Sequence, residues 1–174
     1  MSTRPELRTS RLKLRAPSRG DAPRIAELCN DFDVCRMTTR MPYPYILEDA
    51  EGFLHAVEGH DLSREIVFAV EDDDDGLVGV LGFHPSEPFG SEMGYWFGRP
   101  YWGRGYATEA AEAATLWAHE EWGRRIVVAG HFDDNPASGN VLVKAGFLYT
   151  GEVQHRHSTA RGGPAATRMM VRLP

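Results

Sequence analysis

The fold is decided at residues 95–110, which read YWFGRPYWGRGYATEA. An alternating strand pattern ends here, a turn with Gly103 and Gly105 follows, and an alanine-rich helical pattern begins. Such a turn leaves backbone N–H groups free at a helix N-terminus, whose partial positive charge favours a phosphate group. Glycine lets a ligand approach the backbone closely, and Arg104 adds a full positive charge. The turn therefore predicts a phosphate site, against the plainer alternative of a strand-to-helix connection that uses glycine for its geometry.

Two common phosphate-binding motifs fit this turn poorly. The spacing Gly103-x-Gly105-x-x-Thr108 has threonine where the dinucleotide fingerprint needs glycine or alanine. That fingerprint normally opens its own domain, whereas about 90 residues of other elements precede this turn. The Gly-Lys-Ser/Thr of a Walker loop is absent from the sequence. A dinucleotide-dependent oxidoreductase is therefore kept as the weaker alternative, and ATP binding falls behind it.

Outward from the turn, the periodicity of apolar residues predicts successive strands and helices. Strands are predicted at residues 12–16, 66–70, 77–83, 92–97, 126–132, 147–153 and 169–173. Helices are predicted from residue 21 to about 28 and at 48–58, 108–122 and 138–145, with a long loop at 155–167. The order β-α-α-β-β-β-α-β-α-β-β is typical of a mixed α/β (α+β) fold, with a sheet of about seven strands flanked by about four helices.

The composition is that of an ordinary globular domain rather than a disordered chain. Of the 174 residues, 42% are hydrophobic and 25% are charged, and no internal repeat or linker divides them. We therefore expect a single domain over residues 1–174. The sequence has no run of about 18 apolar residues, and Met1 to Glu6 lacks the apolar core of a secretory signal. A cytoplasmic protein with no membrane partner is expected.

Charge is distributed unevenly along the chain. The net charge of −6 argues against a nucleic-acid partner, because affinity for phosphate backbones comes largely from clustered Lys and Arg. The acidic run Glu71–Asp75 lacks the ligand spacing of a calcium loop, and Asp75-Gly76 predicts a solvated hairpin tip. Four arginines nevertheless cluster in sequence around the glycine turn and predict a local anion site: Arg99, Arg104, Arg124 and Arg125.

The two cysteines carry no chemistry in this interpretation. Cys29 and Cys35 have no histidine or acidic partner at metal-ligand spacing, and a reducing compartment disfavours a disulfide. We expect both to be packing residues and predict no metal site.

Three separated motifs resemble one family in the right order. Residues 102–107, WGRGYA, are similar to the pyrophosphate loop Q/R-x-x-G-x-G/A of the GNAT N-acetyltransferases, with Trp102 in place of Gln or Arg. That replacement resembles the branch that includes the ribosomal-protein alanine N-acetyltransferases. Residues 9–15 resemble the opening strand of that branch, and residues 135–147 resemble its later helix and Gly-Phe pair.

The resemblance implies acetyl-CoA as the donor, a primary amine (a protein N-terminus or a small molecule) as the acceptor, and a possible homodimer. The strand that ends at Phe97 and the strand 126–132 would be parallel neighbours that splay apart, and the pantetheine arm would bind their unpaired backbone groups. Backbone amides of residues 104–108 would hold the pyrophosphate. The residues from Met37 to Tyr45 would form the acceptor-side loop. Together the expected cofactor-binding residues are Trp96, Phe97, Trp102, Gly103, Arg104, Gly105, Tyr106, Ala107, Thr108, Asn135, Ser138 and Lys144.

Three of these residues would act through their side chains. The resemblance implies that Asn135 reaches a pantetheine amide and that Ser138 lies near the thioester sulfur. Lys144 would contact the nucleotide end of CoA, or would simply be solvated.

Acetyl transfer needs a neutral amine, a stabilised oxyanion and a proton for the departing thiolate. Glu92 is the candidate base, with a surface carboxylate at a strand end as the alternative. A backbone N–H near Trp96 or Phe97 would meet the oxyanion. In many relatives a tyrosine protonates the thiolate, but that position is Leu142 here. Ser138 is the candidate substitute, against the alternative that it only caps the helix that follows Pro136.

A second function remains open from the sequence. The missing tyrosine and the uncertain base make a CoA-binding module without turnover the first alternative to an acetyltransferase.

Overall fold

One eight-stranded sheet carries the fold in the computed structural model, which describes residues 4–88 and 90–174. Its strands are β1 (Leu7–Arg8), β2 (Leu12–Arg15), β3 (Ile66–Asp72), β4 (Gly76–Ser86), β5 (Gly90–Phe97), β6 (Val127–Phe132), β7 (Leu148–Ser158) and β8 (Gly163–Arg172). They lie in the order β1-β2-β3-β4-β5-β6-β8-β7. The β5–β6 pair is parallel, and the other neighbouring pairs of described strands are antiparallel.

Five α-helices flank the sheet within the described residues. They are α1 (Ala22–Cys29), α2 (Phe32–Cys35), α3 (Leu47–Glu58), α4 (Tyr106–Glu120) and α5 (Pro136–Lys144). The predicted element order and the mixed α/β fold are confirmed, with the two-residue strand β1 and the one-turn helix α2 as additions. Among these helices, none is long and apolar enough to cross a membrane.

The predicted long loop at 155–167 is wrong. The chain continues as β7 to Ser158, turns, and returns as β8 from Gly163. Most of β7 is exposed because it lies at the edge of the sheet, so its residues show no apolar alternation. Helix α4 also starts at Tyr106, two residues before the predicted start.

Helix α4 packs on one face of the sheet, against β1, β2 and β5. The Phe68 ring of β3 meets Trp117 of α4 edge-on, with 5.5 Å between ring centroids. Ala110, Ala114 and Ala118 are fully buried, so small side chains allow α4 to lie close to the strands. Helix α5 packs beside it on α4 and β6.

The strands β5 and β6 part after a short paired stretch. Ser91 pairs with Val127 and Glu92 pairs with Val128, but β5 continues to Phe97 and β6 to Phe132 without further pairing. The predicted splay between two parallel neighbours is therefore confirmed. Beyond Glu92 the facing edges of the two strands offer backbone groups that no neighbouring strand takes up.

Both cysteines are packing residues, as predicted. Cys29 and Cys35 are fully buried and unlinked. Burial raises the pKa of the Cys35 thiol to about 11, so it stays protonated and unreactive at neutral pH.

Candidate active site

The glycine turn presents an open helix N-terminus. Gly103 and Gly105 have φ angles of +73° and +78°, in the left-handed region that favours glycine. Gly105 occupies the N-cap position of α4, so no side chain accepts a hydrogen bond from the first amides of the helix. A Cβ atom added at Gly103 would meet nothing within 4 Å. These features fit a phosphate group bound by backbone N–H groups.

An N-terminal turn braces the first turn of α4. The Glu109 carboxylate accepts hydrogen bonds from Thr9 Oγ1 at 2.6 Å and from Arg11 Nε at 2.7 Å. Arg11 Nη1 donates to the carbonyl oxygen of Arg104 at 2.8 Å. A Cβ atom added at Gly105 would lie 3.3 Å from Arg11 Nη2, so the guanidinium sits directly against the turn. Sequence reasoning used Arg11 only as part of a strand motif and missed its position at the turn.

The acidic hairpin tip braces the same turn from another side. Tyr106 donates its hydroxyl to Asp72 Oδ2 at 3.1 Å, and Tyr101 donates to Asp75 Oδ2 at 3.0 Å. Asp73, Asp74 and Asp75 at the tip are exposed, so the predicted solvated hairpin tip is confirmed, whereas Asp72 is 8% exposed. The sequence did not predict that the carboxylates of Asp72 and Asp75 also hold two tyrosines of the glycine turn.

The expected cluster of four arginines does not form at the turn. Arg99 is paired with Asp31 at 2.6 Å and with Asp33. Arg124 lies after the C-terminal end of α4, 4.0 Å from the centre of the Trp122 ring, and Arg125 follows it. Arg99 lies over the Trp102 ring with its charge paired, Arg104 lies at the turn over the Tyr101 ring, and Arg11 arrives from a distant part of the chain.

The pleat assigns the side chains of β5 to two faces. Phe68, Leu81 and Tyr95 are aligned across β3, β4 and β5, so Tyr95 lies on the face that α4 covers. Glu92 is aligned with His84 and lies on the opposite face, as does Trp96. The two predicted catalytic residues therefore approach the splay from opposite sides, since Ser138 is on α5.

On the α5 side, Ser138 meets a residue that sequence reasoning missed. Its Oγ lies 2.8 Å from the Tyr95 hydroxyl oxygen, and burial raises the pKa of Tyr95 to about 12. The helix cap is Asn135, whose Oδ1 accepts from the backbone N–H of Ser138 at 3.2 Å. The alternative that Ser138 itself caps the helix is therefore wrong. Leu142, at the position where many relatives have tyrosine, is core at 1% exposure.

On the opposite face, Glu92 lies in a buried ion pair. It is 7% exposed, so the alternative of a surface carboxylate is wrong. Arg156 of β7 holds both carboxylate oxygens, with Nη2 3.2 Å from Oε2. His84 Nε2 lies 3.8 Å from Oε2, and burial lowers the pKa of His84 despite that carboxylate, which favours the neutral imidazole. Arg156 was missed because β7 was predicted to end before it.

The β7–β8 turn docks on residues 37–45, the predicted acceptor-side loop. Thr159 N–H donates to Thr39 O at 3.0 Å, and Ser158 Oγ donates to Thr38 O at 2.9 Å. Arg161 Nε donates to Arg36 O at 2.6 Å, while its other nitrogens pair with Asp134. The conformation of this loop is therefore set by a hairpin more than a hundred positions away in sequence.

Two further predicted residues take up structural contacts. The Trp102 indole N–H donates to the carbonyl oxygen of Phe97 at 2.8 Å and ties the turn to the end of β5. Lys144 ends α5, and it lines a groove of about 280 Å³ with Glu112, Leu116 and Arg172. Lys144 lies six positions beyond Ser138 on the helix, about 9 Å along the axis, and is therefore remote from the Tyr95–Ser138 contact.

Comparison with known proteins agrees with this geometry. The family described as acetyltransferase (GNAT) domain matches residues 11–148. A Bacillus subtilis protein described as the uncharacterized N-acetyltransferase YoaA is 28% identical over 175 residues, which cover 95% of this chain and 94% of that protein. The ribosomal-protein-serine acetyltransferase of Escherichia coli is 28% identical over 116 residues, 63% of this chain and 64% of that protein.

A solved structure shares the fold over nearly the full described length. The microcin C7 self-immunity acetyltransferase MccE, solved in complex with acetyl-CoA and AMP, superposes with a TM-score of 0.82 at 16% identity. The match covers 95% of this chain and 94% of the MccE chain.

Proposed function

The chain belongs to the GNAT family of acetyltransferases, and from that premise we propose that it transfers the acetyl group of acetyl-CoA to a primary amine. The observation that carries the proposal is the splay of β5 and β6 beside the uncapped N-terminus of α4. An extended ligand that ends in phosphates fits both features at once. The open strand edges can form hydrogen bonds with its amides, and the N–H groups at the helix N-terminus can donate to its phosphates.

The glycine turn is proposed to bind the pyrophosphate of CoA. Backbone amides from Arg104 to Thr108 would donate to the phosphate oxygens, with the guanidinium of Arg104 as the neighbouring charge. Gly103 and Gly105 keep the approach free of side chains. Trp102 would act indirectly, by holding the turn against Phe97.

The splay is proposed to bind the pantetheine arm. Gly98 donates its N–H to Val78 O on β4 at 2.9 Å, and successive amides of a strand point to opposite edges. The N–H of Phe97 therefore faces β6 and is the proposed donor to the carbonyl oxygen of the acetyl group. Asn135 has its amide nitrogen left for a pantetheine carbonyl, since its oxygen caps α5. Lys144 remains the candidate contact for the nucleotide end.

Bound acetyl-CoA supplies an acetyl group activated as a thioester. Glu92 is the proposed base that removes a proton from the acceptor ammonium, directly or through water, so that the amine can attack. Arg156 fixes the orientation of this carboxylate, and the neighbouring His84, as a neutral imidazole, adds a second proton acceptor. Ser138 is the proposed donor to the departing sulfur.

The acceptor is a primary amine, either a protein N-terminus or a small molecule. The resemblance also implies a homodimer in the cytoplasm, and light scattering on the purified chain tests the dimer. A CoA-binding module without turnover is the remaining rival.

Thiol release from acetyl-CoA tests the proposal against that rival. The purified chain is assayed with a panel of amines and peptide N-termini, and CoA affinity is measured in parallel. We expect release with at least one acceptor, and a fall of about 10²–10⁴-fold in kcat for Glu92→Gln with CoA affinity retained. Glu71→Gln is the control and should keep its activity, because it loosens an ion pair between Glu71 of β3 and Arg15 of β2. CoA binding without release on any acceptor would establish the rival.

A further inference from the structure

We infer that Tyr95 is a positioning residue, which orients the Ser138 hydroxyl so that it donates a hydrogen bond to the departing sulfur; this rests on the proposed acetyl transfer. Tyr95 lies on β5 three residues beyond Glu92, where pairing with β6 has ended. Its hydroxyl oxygen is 2.8 Å from Ser138 Oγ. The pair therefore joins the splayed strand to the first turn of α5.

The hydroxyl of Ser138 is free for this task because another residue caps the helix. Asn135 accepts the backbone N–H of Ser138, so the serine side chain has no capping duty. A serine hydroxyl has one proton and can accept from a second donor at the same time. If Tyr95 donates to the serine oxygen, the serine proton is left for a different acceptor.

Chemistry determines which hydroxyl donates. A phenol is a stronger acid than an aliphatic alcohol and is therefore the better donor in a pair of hydroxyls. The buried setting keeps Tyr95 protonated throughout the neutral range, because burial raises its pKa to about 12. The phenol is therefore the preferred donor to Ser138 Oγ at 2.8 Å, with the Ser138 carbonyl oxygen as a longer second acceptor at 3.4 Å, and this arrangement leaves the serine proton for another acceptor.

The proposed acceptor of the Ser138 hydrogen bond is the departing sulfur of CoA. As the amine nitrogen forms its bond to the acetyl carbonyl carbon, the C–S bond breaks and its electron pair stays on sulfur. A hydrogen bond from Ser138 stabilises that charge, and hydrogen bonds to charged groups are stronger than neutral ones. After the attack the nitrogen still carries a second proton, which passes through water to the thiolate as the amide forms, while Glu92 returns the first proton of the ammonium to solvent. Tyr95 and Ser138 keep their own protons, and Leu142 leaves no tyrosine for the task.

A neighbouring tyrosine, whose hydroxyl contacts a histidine, provides a control. Tyr149 OH lies 2.9 Å from His131 Nε2, and a Cβ atom at Gly139 of α5 would be 2.7 Å from that hydroxyl oxygen. Tyr149→Phe therefore removes one hydroxyl beside the same helix turn without touching Ser138.

The test is a double-mutant cycle on kcat and on the CoA dissociation constant. We expect Tyr95→Phe to lower kcat about tenfold with CoA affinity unchanged, since phenylalanine keeps the ring packing. The double variant Tyr95→Phe/Ser138→Ala should be no slower than Ser138→Ala, because Tyr95 acts through the serine. Tyr149→Phe should retain the wild-type kcat.

Three results would overturn the inference while leaving the acetyltransferase intact. The first is a wild-type kcat in Tyr95→Phe, and the second is a double variant in which the losses of kcat from the two single variants add. The third is a loss of CoA affinity in Tyr95→Phe as large as its loss of kcat, which would assign Tyr95 a purely structural role. Absence of thiol release by the wild-type protein on every acceptor would reject the proposed function, and this inference with it.

Discussion

Gly105 occupies a position where a side chain would be unfavourable for two reasons. Its φ of +78° lies in the left-handed region, and a Cβ atom there would lie 3.3 Å from the Arg11 guanidinium. The first, the left-handed conformation, costs stability in any other residue, about 1–2 kcal/mol. The second is the close contact with Arg11, and in the proposed site a methyl group would also stand beside the amides that a phosphate approaches.

Substitution by alanine separates the two effects. We expect Gly105→Ala to weaken CoA binding by at least about tenfold, measured by calorimetry, and to lose about 1–2 kcal/mol of unfolding free energy. Gly123, with φ +73° and open space beyond the other end of α4, is the matched control. Gly123→Ala should lose similar stability with CoA affinity unchanged. Equal CoA affinity in the two variants would reject the assignment of the pyrophosphate loop.

Helix α4 is held at its first turn by elements that lie far away in sequence. Burial raises the pKa of Glu109, but hydrogen bonds from Thr9 and Arg11 outweigh it and leave the pKa below its ordinary value. A lowered carboxylate pKa means that the brace stabilises the fold above the ordinary pKa of about 4.3 and is lost as pH falls through the folded value. The brace is therefore intact at neutral pH, where CoA would bind.

Removal of this carboxylate should loosen the glycine turn. Glu109→Ala removes the ion-pair partner that lies 2.6 Å from Arg11. Without it, Arg11 is no longer held in place to donate its hydrogen bond to the Arg104 carbonyl oxygen. We expect a loss of about tenfold in CoA affinity, measured by calorimetry at pH 7. Glu120→Ala, in the last turn of the same helix, should bind CoA as the wild type does. A Glu109→Ala protein with unchanged affinity would mean that the turn needs no brace.

The β7–β8 hairpin should affect the acceptor and not the donor. Arg161 ties the hairpin to the carbonyl of Arg36 and to Asp134. Arg161→Ala is expected to raise the KM for the acceptor several-fold and to speed amide exchange at residues 36–45, with the KM for acetyl-CoA unchanged. The control Arg168→Ala removes an exposed pair with Asp133 from β8, the strand that follows the turn. A shift in the KM for acetyl-CoA alone would contradict this assignment.

Stabilisation of the whole folded protein by a ligand can distinguish CoA binding from dinucleotide binding. A ligand that binds only the folded state adds about 2.7 kcal/mol of unfolding free energy at a hundred times its Kd. For 174 residues this corresponds to a rise in Tm of about 5–10 °C. We expect CoA to produce such a rise in a thermal unfolding experiment and NAD to produce none. Stabilisation by NAD instead would support the oxidoreductase alternative.

Net charge describes this protein poorly because its charges are paired locally. The overall value is −6, yet Arg11 and Arg104 stand together at the glycine turn. Asp72 and Asp75 of the acidic hairpin lie beside the same turn and hold its tyrosines. The proposed anion site therefore lies within an acidic protein, next to its most acidic segment.

The edge of the sheet shows where periodicity stops being informative. Helix α4 and strand β6 bury apolar residues in regular patterns, so their existence follows from the sequence. Strand β7 is exposed over most of its length, and its main constraint is pairing with β8, which leaves no apolar pattern to read. The predicted loop at 155–167 was wrong for this reason, and Arg156 was missed with it.

The sequence by itself determined the element order and the location of the glycine turn, because both depend on contiguous patterns of apolar residues and glycines. Tertiary structure alone decided which side chains complete the site. Arg11 and Glu109 are 98 positions apart, and Tyr95 and Ser138 are 43 positions apart. Such pairs are set by strand register and by the pleat, which places alternate residues on opposite faces. No local sequence pattern indicates which distant residue will face a given side chain.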